Sequence, residues 1–292
     1  MKQKILFLSC CIISLIPIIY GCTNEPDNVA ISSDGVKISF DMQGEGEPAL
    51  VFVHGWSNNR SIWDAQVSHF SKTYKVITVD LPGFGESGNN RNKWTMASFG
   101  EDVAAVINQL KLNQVVLVGF SLGGPVVIET AKSVPDHVAG LVLVDVLENI
   151  EMKYSPETIG YMDSVYMDLV TSPTPEKLEG VFYKRNPDAS FERAFSMLKD
   201  VPRIGWKESI NDFFRWANED CIESLKKTRA PIISINSDQT PTNVEAFRKC
   251  VPSFKVKIIP DVGHLVMWDA PEEFNRLLEE SIQEFVNESK LE

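Results

Sequence analysis

Gly119-Phe120-Ser121-Leu122-Gly123 sets a small hydroxyl between two glycines, with Gly124 and Pro125 directly after. Residues 115–118 form a continuous apolar run of strand length, and a helical pattern follows the glycines. A serine on a tight strand-to-helix turn projects its hydroxyl past the end of a sheet, and small flanking residues let that turn close. Pro125 falls in the first helical turn, where a missing N–H costs nothing. Such a hydroxyl is placed to attack an electrophilic carbon. Near neutral pH it needs a base to take its proton, and the base needs a carboxylate to orient it and balance its charge.

Four histidines are available as bases. His54 follows an apolar run at 49–53, His69 lies in a helical pattern, and His137 precedes a strand. His264, in Asp261-Val262-Gly263-His264-Leu265, follows the last expected strand and precedes the last expected helix. That places it at the same carboxyl edge of a sheet as Ser121. No metal-ligand spacing occurs in the chain, and no cofactor is expected.

The elements that must hold these residues alternate. Apolar runs at 49–53, 75–79, 115–118 and 140–144 read as strands, preceded by a hairpin over 29–46 around Ser33-Asp34-Gly35. Residues 95–110 carry Phe99, Val103, Val106 and Leu110 on one helical face, with Ser98 and Glu101 spaced as a capping box. Continuous apolar strands alternating with amphipathic helices predict an α/β fold with a mostly parallel sheet. The alternation stops at about Leu147, and 148–228 shows helical patterns without a strand, too long for an ordinary loop. It resumes with strands at 231–235 and 255–259, a helix at 244–250, and a final helix over 271–287. Phe274, Leu277, Leu278, Ile282 and Phe285 form the stripe of that last helix. The expected organisation is a core of 29–147 and 229–292, interrupted by a helical cap of 148–228.

The N-terminus carries a different message. Lys2 and Lys4 precede an apolar run over 5–20 that is shorter than the ~20 residues of a membrane-spanning helix, and Pro17 interrupts it. This is the pattern of an export signal. Gly21-Cys22 resembles the lipobox of bacterial lipoproteins, although Tyr20 is bulkier than the residue usual there. The resemblance implies a signal peptide of 1–21, a lipid on Cys22, a tether over 22–28, and a membrane as partner through that lipid. The implied location is the bacterial cell envelope, at the outer membrane or a periplasmic face. Cys221 and Cys250 lie in apolar-periodic segments, where free buried thiols are common; a bridge between them is the alternative. A formal net charge of −12 and the lack of a basic run argue against nucleic acid as a partner.

His54-Gly55-Trp56, Asp80-Leu81-Pro82-Gly83-Phe84-Gly85-Glu86-Ser87, Gly119-Phe120-Ser121-Leu122-Gly123-Gly124 and Gly263-His264 occur in this order, each after an expected strand. Across residues 30–290 the chain thus resembles the α/β-hydrolase family. The resemblance implies an eight-stranded, mostly parallel sheet, a helical cap after the sixth strand, and a triad in the order serine, acid, histidine. It assigns Ser121 as nucleophile, His264 as base, and Asp238, 26 residues before His264, as the acid. Family members usually carry a glycine at the end of the strand before that acid, and Ile235-Asn236-Ser237-Asp238 has none. Asp145, at the end of the strand before the cap, is the alternative position. The backbone N–H groups of Trp56 and Leu122 are the implied oxyanion donors, His54 fixes their loop, and Asp80 is a structural turn residue.

The activity implied is hydrolysis of a carboxylic ester or related small acyl compound through an acyl-enzyme. Alternatives within the fold are a cofactor-free perhydrolase of the haloperoxidase kind and a carbon–carbon bond hydrolase; outside catalysis, a surface binding protein. Serine at residue 121 argues against haloalkane dehalogenases and epoxide hydrolases, which place aspartate there. The cap is rich in aromatics, including Tyr154, Tyr161, Tyr166, Phe182, Tyr183, Trp206, Phe213, Phe214 and Trp216. Most must form its own core, and a few are expected to line an apolar substrate pocket.

Overall fold

Continuous apolar segments become the interior strands of one eight-stranded sheet in a computed structural model that describes residues 28–178, 193, 195–197 and 205–288. The expected signal, Cys22, Phe182 and Tyr183 lie outside those residues. In chain order the strands are β1 (Val29–Ile31), β2 (Lys37–Gln43), β3 (Ala49–Val53), β4 (Val76–Val79), β5 (Val115–Phe120), β6 (Val138–Val144), β7 (Ile232–Ser237) and β8 (Lys255–Ile259). Across the sheet they run β1-β2-β4-β3-β5-β6-β7-β8. β2 is antiparallel to β1 and β4, and the remaining pairs are parallel. Every residue of β3, β4, β5 and β7 is buried, as strands covered on both faces require.

The helices are α1 (Asp64–Phe70), α2 (Met96–Gln109), α3 (Gly123–Ser133), α4 (Pro156–Thr171), α5 (Pro175–Leu178), α6 (Trp206–Glu219), α7 (Cys221–Lys227), α8 (Val244–Cys250), α9 (Val266–Asp269) and α10 (Pro271–Glu288). α2 packs on α3, and α3 on β5 and β6; α1 packs on α10, which covers β6, β7 and β8. The expected stripe of α10 is buried throughout. Trp63 joins that side of the core, its ring 5.0 Å from Phe52 and 6.3 Å from Phe274. α2 is capped one turn earlier than the Ser98–Glu101 spacing suggested. Thr95 is the N-cap and Ser98 answers it as N3, while Glu101 accepts from the Ser33 hydroxyl at 3.3 Å.

Between β6 and β7 the described residues carry helices α4 to α7 joined by turns, and no strand. Glu129, on α3, fastens this insertion to the sheet-bearing core: its carboxylate accepts from Trp216 Nε1 at 2.8 Å, Ser224 Oγ at 2.6 Å and Lys132 Nζ at 2.6 Å. Asp212 on α6 accepts from the Met96 N–H at 2.7 Å, satisfying a donor at the start of α2. Trp206 stacks on Phe84 at 5.7 Å, and its carbonyl accepts from Trp56 Nε1 at 2.9 Å. Trp206, Phe214 and Trp216 are buried, so these aromatics do form an interior.

The sheet register aligns the strand ends that matter. Val53 is level with Gly119, Phe120 with Val144, and Val144 with Ile235. β7 extends two residues beyond the expected 231–235 because Asn236 and Ser237 continue the ladder with Ile258 and Ile259. At Gly119 the chain folds back so tightly that a Cβ would lie 2.3 Å from the Gly123 carbonyl oxygen and 2.8 Å from Val127. Gly119→Ala is therefore expected to destabilise the protein by about 1–3 kcal/mol. Gly160 in α4 has open space around a would-be Cβ, and Gly160→Ala is expected to stabilise by roughly 0.5–1 kcal/mol. Urea unfolding of the two variants beside the parent measures both signs.

Candidate active site

Ser121 follows β5 directly and has φ of +51°, a left-handed conformation that side chains other than glycine seldom adopt. Its N–H donates to the Val144 carbonyl at 3.1 Å, and its carbonyl accepts from Gly124 N–H at 2.8 Å. Strand pairing on one side and the first turn of α3 on the other thus hold the strained residue in place. The next N–H groups along α3 begin at Leu122. Trp56 lies across the turn in the loop after β3, where Gly55 passes so close to Phe120 and Ser121 that a Cβ would stand 2.9 Å from the Phe120 ring. The backbone N–H groups of Trp56 and Leu122 donate to no other described residue.

His54 is fully buried and anchors this loop. Its Nδ1 donates to the Gly55 carbonyl at 2.7 Å, and its Nε2 accepts from Leu81 N–H at 3.0 Å. These two bonds define a neutral tautomer, and burial holds its pKa below the ordinary imidazole value. Asp80 is also buried and accepts from the N–H groups of Arg60 at 2.7 Å and Glu86 at 2.9 Å, the structural turn role expected of it.

The structure brings His264 to Asp145, and not to Asp238. His264 Nδ1 lies 2.6 Å from Asp145 Oδ2, and the second carboxylate oxygen accepts from Ser237 N–H at 2.6 Å. Asp145 follows β6 with φ of +46°, and its N–H donates to Ile235 at 3.1 Å. The carboxylate places the imidazole proton on Nδ1 and leaves Nε2 as the basic nitrogen. Asp238, by contrast, is exposed, and its carboxylate accepts from Asp261 N–H at 3.1 Å. Asp261 has φ of +61°, so Asp238 supports the turn leading to His264. Because β7 runs on to residue 237, Ser237 is still in the strand and turns its N–H to Asp145, carrying Asp238 out to solvent. The missing glycine after residue 235 was the signal in the sequence.

Ser121, Leu122, Trp56, Asp145 and His264 line one cavity of about 550 Å³ beneath α4 and α6. Tyr161, Tyr166 and Phe213 roof it, so the expected aromatic lining is present. Glu148 and the Asp168–Lys177 pair also face it, and sequence patterning picked out none of these three. Burial raises the Glu148 carboxyl above its ordinary range; the charge of Asp145 adds to this and that of His264 opposes it. Cys221 and Cys250 are free thiols outside this lining, and burial pushes the Cys221 thiol up to about 12.

Residues 48–271 match the alpha/beta hydrolase fold family. The chain belongs to that family. It is similar to a bifunctional esterase/perhydrolase of Acinetobacter calcoaceticus, at 27% identity over 222 residues, 71% of this chain and 80% of that protein. A non-heme haloperoxidase of Rhodococcus erythropolis is 26% identical over 263 residues, 80% of this chain and 91% of the relative. The structure of a thermophilic esterase from Thermogutta terrifontis superposes with a TM-score of 0.74 at 24% identity, over 88% of this chain and 98% of that one, a likeness of fold. Membership of the family, together with esterase relatives, makes this protein a hydrolase.

The contact geometry ranks the two aspartates. Asp145→Asn is expected to lower hydrolase turnover by about 10⁴, and Asp238→Asn by less than ~10-fold, with both variants folded by circular dichroism. The reverse ranking in steady-state kinetics would return the orienting role to Asp238.

Proposed function

We propose that this protein hydrolyses carboxylic esters or closely related acyl compounds through a Ser121–His264–Asp145 triad. The observation that carries this reading is the Asp145–His264 hydrogen bond in the same cavity as the strained Ser121. Ser121 Oγ attacks the acyl carbon while its proton passes to His264 Nε2, and the carbonyl oxygen becomes an oxyanion. The N–H groups of Trp56 and Leu122 are the donors for that charge; one such donor is commonly worth about 10²–10³ in rate. Collapse of the adduct breaks the bond to the alcohol, which leaves with the proton from His264. Water, deprotonated by the same nitrogen, then attacks the acyl-enzyme and releases the acid. Asp145 remains ionised throughout and stabilises the imidazolium.

A perhydrolase activity is the second reading, favoured by the esterase/perhydrolase relative. The first half-reaction is unchanged, and hydrogen peroxide replaces water in the second to release a peroxy acid.

Cys22 is proposed as a lipid anchor on the strength of Gly21-Cys22 after the basic and apolar N-terminal segment. The hydrolase would then work at a membrane surface of the bacterial envelope. Alkynyl fatty acid fed to an expressing bacterium should label the wild type and not Cys22→Ser. Equal labelling of both would place the lipid elsewhere or show none specific to this residue.

For the reaction itself, a fluorophosphonate probe should label Ser121 stoichiometrically, and Ser121→Ala should lose both labelling and turnover of 4-nitrophenyl esters of two to eight acyl carbons. Ester turnover by Ser121→Ala at the wild-type rate would overturn the triad. Addition of hydrogen peroxide, with peroxy acid measured by iodide oxidation, tests the second reading.

A further inference from the structure

The cavity beside Ser121 is acidic as well as aromatic. Among its described lining residues, Asp145, Glu148 and Asp168 contribute carboxylates and Lys177 an ammonium. Lys177 lies 2.7 Å from Asp168 and also donates to the Ser172 carbonyl at 2.8 Å, so that pair is internally balanced. Asp145 is occupied by His264 and Ser237. Glu148 forms no ion pair with any described residue, and burial already disfavours its charge.

The backbone holds Glu148 firmly where it is. It follows Asp145 and Leu147, at φ of +46° and +59°, and its carbonyl accepts from Asn243 N–H at 2.6 Å. Trp56, Tyr161, Tyr166 and Phe213 line the same cavity. A cation entering this space would meet both an unbalanced carboxylate and aromatic faces, whose quadrupoles attract positive charge. A carboxylate entering it would be desolvated against Glu148, and Lys177, the one ammonium among the described lining residues, is already paired with Asp168.

We infer that the site selects substrates carrying a cationic group, such as an alkylammonium, and rejects substrates carrying a carboxylate, with Glu148 as the selecting residue. This rests on the hydrolase reading above and deepens it by naming the charge class of the substrate.

Competition against a neutral reporter tests the idea on the folded, intact enzyme. With 4-nitrophenyl butyrate as reporter at pH 8, inhibition constants are measured for pentyltrimethylammonium and for heptanoate, ions of similar length and opposite charge. The cation is expected to bind at least ~10-fold more tightly. In Glu148→Gln the preference should fall to within about threefold, because the amide keeps the shape and removes the charge. Glu151→Gln, an exposed residue paired with Lys249, should retain the wild-type ratio. Heptanoate binding as tightly as the cation in the wild type would overturn the inference without recourse to any variant. An unchanged ratio in a folded Glu148→Gln would overturn the role of Glu148. In either event Ser121-dependent hydrolysis of the reporter would leave the hydrolase reading standing. Failure of the wild type to hydrolyse the reporter would remove that reading and this inference with it.

Discussion

Asp145 is 5% exposed, and its two carboxylate oxygens reach in different directions, one to the Ser237 N–H and one to His264. A buried carboxylate is costly unless such partners satisfy it, so the ends of β6 and β7 and the loop after β8 are held to a common geometry. The constraint extends through the backbone. Asp145 N–H donates to Ile235, and Ser121 N–H donates to Val144, so the aspartate and the serine are each tied to the neighbouring strand. Moving any one strand by a residue would turn these side chains to the opposite face of the sheet. The parallel register is what converts separate residues into one site.

The loop after β3 is held from two directions. From below, buried His54 bonds both Gly55 and Leu81. From above, Trp56 is bonded to the carbonyl of Trp206, with its ring packed edge-on at 5.1 Å against Trp206 and 5.0 Å against Tyr166. The insertion between β6 and β7 thus does more than cover the cavity, because its helices α4 and α6 brace the segment that presents the Trp56 N–H. Glu129, on the helix that directly follows Ser121, anchors the other end of α6. Packing of the insertion and placement of the Trp56 backbone are parts of one arrangement.

A carboxyl close to a histidine–aspartate pair has two physical effects. It deepens the negative potential around the imidazole, and it adds negative charge to the wall of the cavity. Glu148 supplies both from a turn whose strained backbone, at Asp145 and Leu147, is tied down by strand pairing and by Asn243. Strain of this kind persists only where the surroundings over-determine it, and here it coincides with the cavity wall.

The sequence by itself determined the alternation of strands and helices, the stretch without strands between β6 and β7, and the placement of Ser121 and His264 just beyond strands. These are local properties: apolar periodicity, a glycine-bracketed turn, and a glycine–histidine pair after a strand are all legible within a few residues. The N-cap of α2 differs by one turn because Thr95 and Ser98 both carry a hydroxyl able to open a helix, and in the fold Thr95 caps while Ser98 answers it from the N3 position. Which aspartate meets His264 was decided only by the tertiary structure. Both candidates end a strand in the chain, and the choice depends on β7 running two residues further along β8, which turns Asp238 to solvent and leaves Asp145 facing the ring. Glu148 was invisible for the same reason. A carboxylate in a connecting segment looks like any solvated charge until long-range packing encloses it, and enclosure is a property of the fold as a whole.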